Sequence, residues 1–437
     1  MYVCIIRKIL IVCLVYFLNF SEGAAQSSMD LRLIMKSVYQ NNPSLNAARE
    51  EYNQLLELYP QAIAGWRPDI DAEASLYHMD IDNSNFGTAD GATTKNFTIS
   101  LEQPIWRGGR TTAETEAAKR RILAGQARLR SAEQDIFYDV IQSYVLIIRD
   151  QHLYNLRKDY VDLLLQEHAA AVEKEELGLF TITDVRQASA RLSRAISSLI
   201  QAKNNLAQSK HDFTEVTLLS VTDIKDFPIV TFIVPADKNA LINMALESNP
   251  ELIAAEYDRA ATDYNLQATQ SERFPQISGF ASANKQFDPQ PGVVDETRAN
   301  TIGVRARMAL YQGGALNSRI RENHHRIAYQ EYQYETIAQA VKQSVLRDYD
   351  GYIAAKALTE RRQEEIKATY TVLEGVREEV NFGQRPFLDI LDMDEEVIES
   401  RLELVNAQTE EILAQFSMAR TLGLLHSYSM RLAFDQM

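Results

Sequence analysis

Asn42-Pro43-Ser44-Leu45-Asn46-Ala47-Ala48 returns 207 positions later as Asn249-Pro250-Glu251-Leu252-Ile253-Ala254-Ala255, and Pro68-Asp69-Ile70 returns at the same offset as Pro275-Gln276-Ile277. At an offset of 205, Ile105-Trp106-Arg107-Gly108-Gly109 falls on Leu310-Tyr311-Gln312-Gly313-Gly314. The same offset carries Val140 and Tyr144 onto Val345 and Tyr349, and Gly178 and Asp184 onto Gly383 and Asp389. Ordered matches with one two-residue slip mark an internal repeat. The chain is therefore one structural plan used twice, with repeats over 26–220 and 237–425, a linker at 221–236 and a tail at 426–437.

Ahead of the repeats, Arg7 and Lys8 precede an apolar run from Ile9 to Phe20 and the small-residue stretch Gly23-Ala24-Ala25. This order reads as a secretory signal peptide over 1–25, cleaved after Ala25. The run is short of the ~20 apolar residues that a spanning helix needs. Both cysteines, Cys4 and Cys13, lie inside it, and Leu10-Ile11-Val12 before Cys13 lacks the small residues of a lipid-attachment site. The mature chain is then exported and free of thiols, which excludes disulfides and Cys-based catalysis.

Within each repeat the hydrophobic period changes twice. Leu31, Ile34, Met35 and Val38 set a helical spacing over about 29–64, broken at Trp66-Arg67-Pro68. Strands are predicted near 69–81 and 94–105, where Phe97, Ile99 and Leu101 alternate with Thr98, Ser100 and Glu102. Gly108-Gly109 ends the second strand, and residues 111–177 contain no Pro, enough for a ~100 Å helix at 1.5 Å per residue. A break follows, then a helix over 184–217. The second repeat predicts a helix over 237–271, strands near 276–284 and 299–310, and helices over 315–381 and 388–424. Polar loops are expected at 82–93 and 285–298, and a short strand from Asp226 to Pro235 in a belt around the helices.

Four strands of about ten residues, apolar on one face and polar on the other, have the length and pattern of membrane β-strands. Four cannot close a barrel, and an open edge cannot stand in hydrocarbon, so closure implies several chains. Trp66, Trp106, Phe274 and Tyr311 flank the strands at the end that two up-down hairpins bring together, an interfacial aromatic belt holding the only two Trp of the chain. Arg305 and Arg307 fall on the polar strand face. Along the return helix, Val185, Leu192, Leu199, Leu206 and Phe213 recur every seven residues, with Ala188, Ala195, Ala202 and Ser209 three residues after the first four. Large-and-small heptads predict coiled-coil packing.

Composition narrows the function. With 45 Lys+Arg against 60 Asp+Glu the chain lacks the basic face that nucleic acid requires. A mean hydropathy of −0.27 excludes a bundle of membrane helices and leaves a β-barrel open. There is no HExxH, P-loop or G-x-S-x-G. His324-His325 lacks a ligand pattern and reads as a helix-surface pair, so no metal or cofactor is expected.

The doubled plan, the paired aromatic-x-Gly-Gly turns and the two helix breaks, Gly178-Leu179-Phe180-Thr181-Ile182-Thr183-Asp184-Val185 and Gly383-Gln384-Arg385-Pro386-Phe387-Leu388-Asp389-Ile390-Leu391-Asp392, resemble the TolC-like outer-membrane channels of bacterial efflux and type I secretion. The resemblance covers Leu31 to about Leu425. It implies a mainly α fold with a membrane β-barrel portion: a homotrimer giving twelve strands to one barrel in the outer membrane and twelve helical rods to a coiled-coil tunnel through the periplasm. It implies a passive, non-enzymatic exit duct that docks onto a periplasmic adaptor and an inner-membrane ABC or proton-driven transporter. Substrates are then exported protein or small toxic molecules; the missing lipid-attachment site inclines the reading to secretion. Turn glycines are Gly108, Gly109, Gly313 and Gly314. By the same resemblance Asp389 and Asp392 form a ring at the inner tunnel end, and Asp184 and Arg385 belong to a network constraining it. Val380 stands where close relatives carry a Tyr, removing one hydroxyl link. The segment 371–404 holds ten acids against three Arg, which concentrates negative charge near this gate. The competing class is an extended coiled-coil scaffold with no pore.

Overall fold

The computed structural model describes residues 31–425 apart from 84–86, 222–226, 228–234, 236 and 291–293. The signal segment, the tail and most of the expected belt strand at 226–235 lie outside the described residues. The first repeat comprises α1 (Leu31–Asn41), α2 (Pro43–Leu56), α3 (Leu58–Ala64), β1 (Asp69–Asn83), β2 (Gly87–Trp106), α4 (Arg110–Glu176) and α5 (Ile182–Thr217). The second comprises α6 (Lys238–Ser248), α7 (Pro250–Gln270), β3 (Gln276–Gln290), β4 (Val294–Arg307), α8 (Ala315–Asn381) and α9 (Leu388–Thr421). Both α4 and α8 have 67 residues. The fold is mainly helical with one small antiparallel sheet.

The single helices expected at the start of each repeat are interrupted. Asn42 and Asn249 leave the helical region at ψ 124° and 121°, and each caps a new helix that has Pro at its first turn. Proline lacks an N–H and suits that position, which is why the chain restarts there. The two caps also carry a tertiary link. Asn42 Nδ2 donates to the Val216 carbonyl at 3.0 Å and Asn249 Nδ2 to the Thr421 carbonyl at 3.1 Å, tying the start of each repeat to the end of its own return helix.

The strands pair in the order β1-β2-β3-β4, all antiparallel. They outrun the expected bounds: pairing continues to Asn83↔Gly87 and Gln290↔Val294, so the polar loops foreseen at 82–93 and 285–298 are largely strand. Gly, Asn and Asp depress local strand propensity, but ladder bonds form between partners whatever their side chains, so pairing overrides composition. Bulges between Met79 and Ile81 and between Phe287 and Gln290 absorb the irregularity. At the other end β4 stops at Arg307 rather than 310. The register sorts the faces: Ile70, Leu101, Ala281 and Ile302 lie in one row of one face, Asp71, Ser100, Ser282 and Thr301 in a row of the other.

Three apolar clusters hold the helices. One joins α1, the middle of α4, the end of α5 and the end of α9 around Ile34, Val140, Ile141 and Phe213. A second joins α4, α5, α8 and α9 toward their far ends, around Leu164, Ala188, Leu391 and Ile398. The third ties α6 to α8 and α9 through Leu241, Val345 and Met418. The α5 heptads divide between the first two: Ala188 and Ala195 are buried in the second, Leu206 and Phe213 in the first. Small residues at these positions let the helices approach closely.

Candidate functional site

Each long helix turns back on itself at the end remote from the sheet. After α4, Gly178 takes φ 75° and the Leu179 N–H reaches the Lys174 carbonyl at 2.8 Å; after α8, Gly383 takes φ 72° and the Gln384 N–H reaches the Glu379 carbonyl at 2.8 Å. Both are left-handed glycine C-caps, which satisfy the last carbonyls of the helix. The return helices start differently. Thr181 and Asp184 form a reciprocal capping box, with the Thr181 N–H donating to Asp184 Oδ2 at 2.8 Å. In the second repeat Pro386-Phe387 replaces it, and Phe387 packs its ring 4.9 Å from that of Phe180. Phe387 is 5% exposed, so it closes the second apolar cluster at its tip. Val380 packs half-buried against that cluster.

Asp184 and Arg385, the two residues expected in the constraining network, each make local contacts within the protomer. Asp184 is occupied by its own cap, while Arg385 stays in its own turn, with Nε 2.5 Å from Glu379 Oε2 and Nη1 3.5 Å from Asp389 Oδ2. The link between the repeats is made by residues that the sequence reading did not select. Arg191 on α5 is ion-paired with both Asp392 and Glu395 on α9, and Arg194 lies 3.8 Å from Glu395. Two turns along α9, Glu399 Oε1 sits 2.9 Å from Arg157 Nη2 of α4. A signal existed: Arg191/Arg194 and Asp392/Glu395 share a three-residue spacing on helices of matching position in the two repeats.

The acidic concentration in 371–404 is therefore largely answered. Glu379, Asp389, Asp392, Asp394, Glu395, Glu399 and Glu403 all have arginine partners, several from the first repeat. Partly exposed pairs of this kind contribute roughly 0–1 kcal/mol each, so the apolar cluster holds the seam and the pairs set its charge pattern. Asp389 and Asp392 retain side-chain exposures of 33% and 52%, enough to present charge to water.

Asp394 is unlike the others. Its side chain is 1% exposed, Oδ1 accepts from Arg377 Nη2 at 2.9 Å, and Oδ2 has no hydrogen-bond partner. Burial raises its pKa from 3.8 to about 6, against the lowering pull of Arg377 and with Glu167 of α4 adding repulsion.

At the opposite end of the molecule, Trp66, Trp106, Phe274 and Tyr311 all flank the helix-facing end of the sheet. Trp106 and Phe274 have ring centroids 6.3 Å apart, and Tyr311 is 86% exposed. Gly108-Gly109 and Gly313-Gly314 take φ of 65°, 88°, 59° and 84°, a doubled left-handed turn that passes each repeat from sheet to long helix. His324 and His325 are exposed on α8. Among the described residues no helix is long and apolar enough to cross a membrane.

The family model for outer membrane efflux proteins matches residues 34–217 and again 241–424, once per repeat. The outer membrane efflux protein BepC of Brucella suis is 26% identical over 402 residues, covering 92% of this chain and 87% of that protein. The alkaline protease secretion protein AprF of Pseudomonas aeruginosa is 19% identical over 341 residues, covering 77% and 71%. Among solved structures, the outer membrane protein VceC of Vibrio cholerae superposes with a TM-score of 0.77 at 16% identity, covering 90% of this chain and 96% of that one. Two family matches that together take in most of the chain, on a fold with a two-faced sheet and paired long helices, settle its place: it belongs to the outer membrane efflux protein family and resides in the bacterial outer membrane.

Proposed function

We propose that three copies of this chain assemble into a passive exit duct. The twelve strands close one barrel in the outer membrane, and the α4/α5 and α8/α9 pairs form a tunnel through the periplasm. A periplasmic adaptor and an energised inner-membrane transporter would supply substrate, either exported protein or small toxic molecules. One observation carries this reading: a four-stranded sheet with an apolar face, a polar face and two unpaired edges, mounted on ~100 Å helices. Ile302 and Val304 are 88% and 69% exposed on the apolar face of β4, and unpaired edge groups in hydrocarbon cost several kcal/mol each unless another strand takes them. The test is the oligomer itself. Outer-membrane extracts should hold a trimer that dissociates on heating and conducts ions in planar bilayers. A salt-sensitive soluble oligomer without conductance would instead support the coiled-coil scaffold.

In this reading the tips narrow the tunnel, and six carboxylates, Asp389 and Asp392 from each copy, favour cations there. Asp389→Asn with Asp392→Asn is expected to lower the cation-over-anion permeability ratio severalfold and to weaken divalent block. Arg191→Gln is expected to do the opposite, because it frees Asp392 from its partner on α5. Reversal potentials across a salt gradient measure both. Unchanged ratios in the double aspartate variant would remove the ring assignment, and an unchanged Arg191→Gln channel would remove the role of the clamp.

A further inference from the structure

The apolar face of the sheet becomes basic toward the end remote from the helices. Phe97 of β2 pairs with Lys285 of β3, and Lys285 with Arg298 of β4. On the next rung of the same face Lys95 pairs with Phe287, and Phe287 with Glu296. No bulge separates these rungs from that of Leu101, Ala281 and Ile302, so by alternation all lie on one face. Below the charged rung runs a groove of about 490 Å³, lined by Ala72, Ile99 and Ala283, with Phe97, Lys285 and Arg298 at its outer end. The alanines flank the larger Ile99 on both sides and recess the face there. Lys285 Nζ stands 4.5 Å from the centre of the Phe287 ring and 3.4 Å from Glu296 Oε1, so the lysine leans outward. Arg298 pairs with Glu296 too. Lys285 and Phe287 lie eight and ten residues along β3 from Ile277, the partner of Trp106 in the aromatic belt. With tilted strands these steps rise about 20 and about 25 Å, which matches the height of the apolar band of a membrane barrel.

We propose that this groove binds a lipid of the outer leaflet that carries a phosphate monoester, with an acyl chain over Ala283 and Ile99 and the phosphate against Lys285 and Arg298. The inference rests on the reading of the sheet as a barrel wall and names a ligand for its lipid face. The groove is uncharged below the cations, which suits a hydrocarbon chain. The cations stand at its outer end alone, where an outer-leaflet lipid has its headgroup and an inner-leaflet lipid has only its chain ends. On the two outer rungs Lys95, Lys285 and Arg298 face the single acid Glu296, a net charge of +2. A phosphate monoester, at roughly −1.5 to −2, answers that charge better than a singly charged phosphodiester. The guanidinium and ammonium groups have donors left over from Glu296, and charge-assisted bonds to phosphate strengthen at the edge of a low-dielectric phase. Snorkelling by itself would carry these side chains outward on a flush face; the recess beneath them is what a bound chain fills.

The test uses the full-length trimer, purified and stripped of lipid, with bis-phosphorylated lipid A as the probe and native mass spectrometry counting lipid bound per intact trimer. Wild-type protein should bind the probe well ahead of fully dephosphorylated lipid A and of phosphatidylglycerol. Lys285→Gln with Arg298→Gln should cut binding severalfold. Ala283→Phe, which fills the recess and leaves every charge in place, should do the same. Equal binding of the dephosphorylated lipid or of phosphatidylglycerol, or unchanged binding in either variant, overturns the site. A wild-type chain that forms no trimer at all sinks the assembly reading instead, so the two failures are told apart.

Discussion

Acidification from pH 7 to 4 is expected to tighten the seam between the repeats, and Asp394→Asn is expected to remove about 2 kcal/mol of that gain. The sign follows from the carboxyl group. Its pKa is raised from 3.8 to about 6 when α9 is packed against α4 and α8, so the packed form binds the proton more tightly than the open chain. The stabilisation is complete below about 3.8 and is lost as pH rises through about 6. The full shift corresponds to about 3 kcal/mol, most of it expressed within the window from 7 to 4. Asn at 394 can still accept from Arg377 and cannot titrate. Comparing the slope of stability with pH in the two proteins cancels every other titrating group and any constant offset from the buried amide. Denaturant or thermal unfolding of the purified protein at several pH values reads it. Parallel slopes would show that Asp394 is not protonated in this interval. An acidic residue placed this way keeps the packed tips loosest at neutral pH, where the carboxylate is ionised and its own Oδ2 has no donor.

Gly423→Ala is expected to destabilise the protein by about 3 kcal/mol, while Leu218→Gly, at the same place in the other repeat, should stabilise it by about 0.5–1 kcal/mol. The two positions are 205 apart, and both take left-handed backbone, φ 73° at Gly423 and 59° at Leu218. A side chain there costs about 1–2 kcal/mol in either repeat. The surroundings differ. A Cβ at Gly423 would lie 2.4 Å from the Ser248 carbonyl oxygen and 3.0 Å from its carbonyl carbon. That backbone is pinned, because Ser248 Oγ donates to the Leu422 carbonyl at 2.7 Å and Asn249 Nδ2 holds the Thr421 carbonyl. Leu218 is 55% exposed and tolerated. Thermal unfolding of the two single variants checks the contrast; equal effects of the same sign would show that the Ser248 contact does not discriminate the repeats.

Much of the architecture was legible before any coordinates. The repeated Asn-Pro and Gly-Gly signals are local, since a proline or a positive φ imposes itself on its immediate neighbours. The Pro-free stretches gave the long helices for the same reason. The hairpin ends were misplaced because strand length depends on a partner distant in sequence, which composition does not describe. The gate region shows the same division. Asp184 was singled out for the constraining network, whereas the structure spends it on a capping box only three residues long. The pairing of Arg191 with Asp392 and Glu395 joins residues about 200 positions apart, and the shared spacing of three becomes meaningful only when α5 and α9 are seen side by side.

The amino-acid sequence by itself determined the doubled plan, the long paired helices, the four two-faced strands and so the need for a membrane and for partners. These follow from periodicity, turn chemistry and hydropathy, which act over a few residues. Only the tertiary structure decided which acids are free and which are answered, that Asp394 is buried beside Arg377, and that Lys285 and Arg298 share a rung at the outer end of the apolar face. Each of these depends on register and burial, which are set by packing between segments that the chain order keeps far apart.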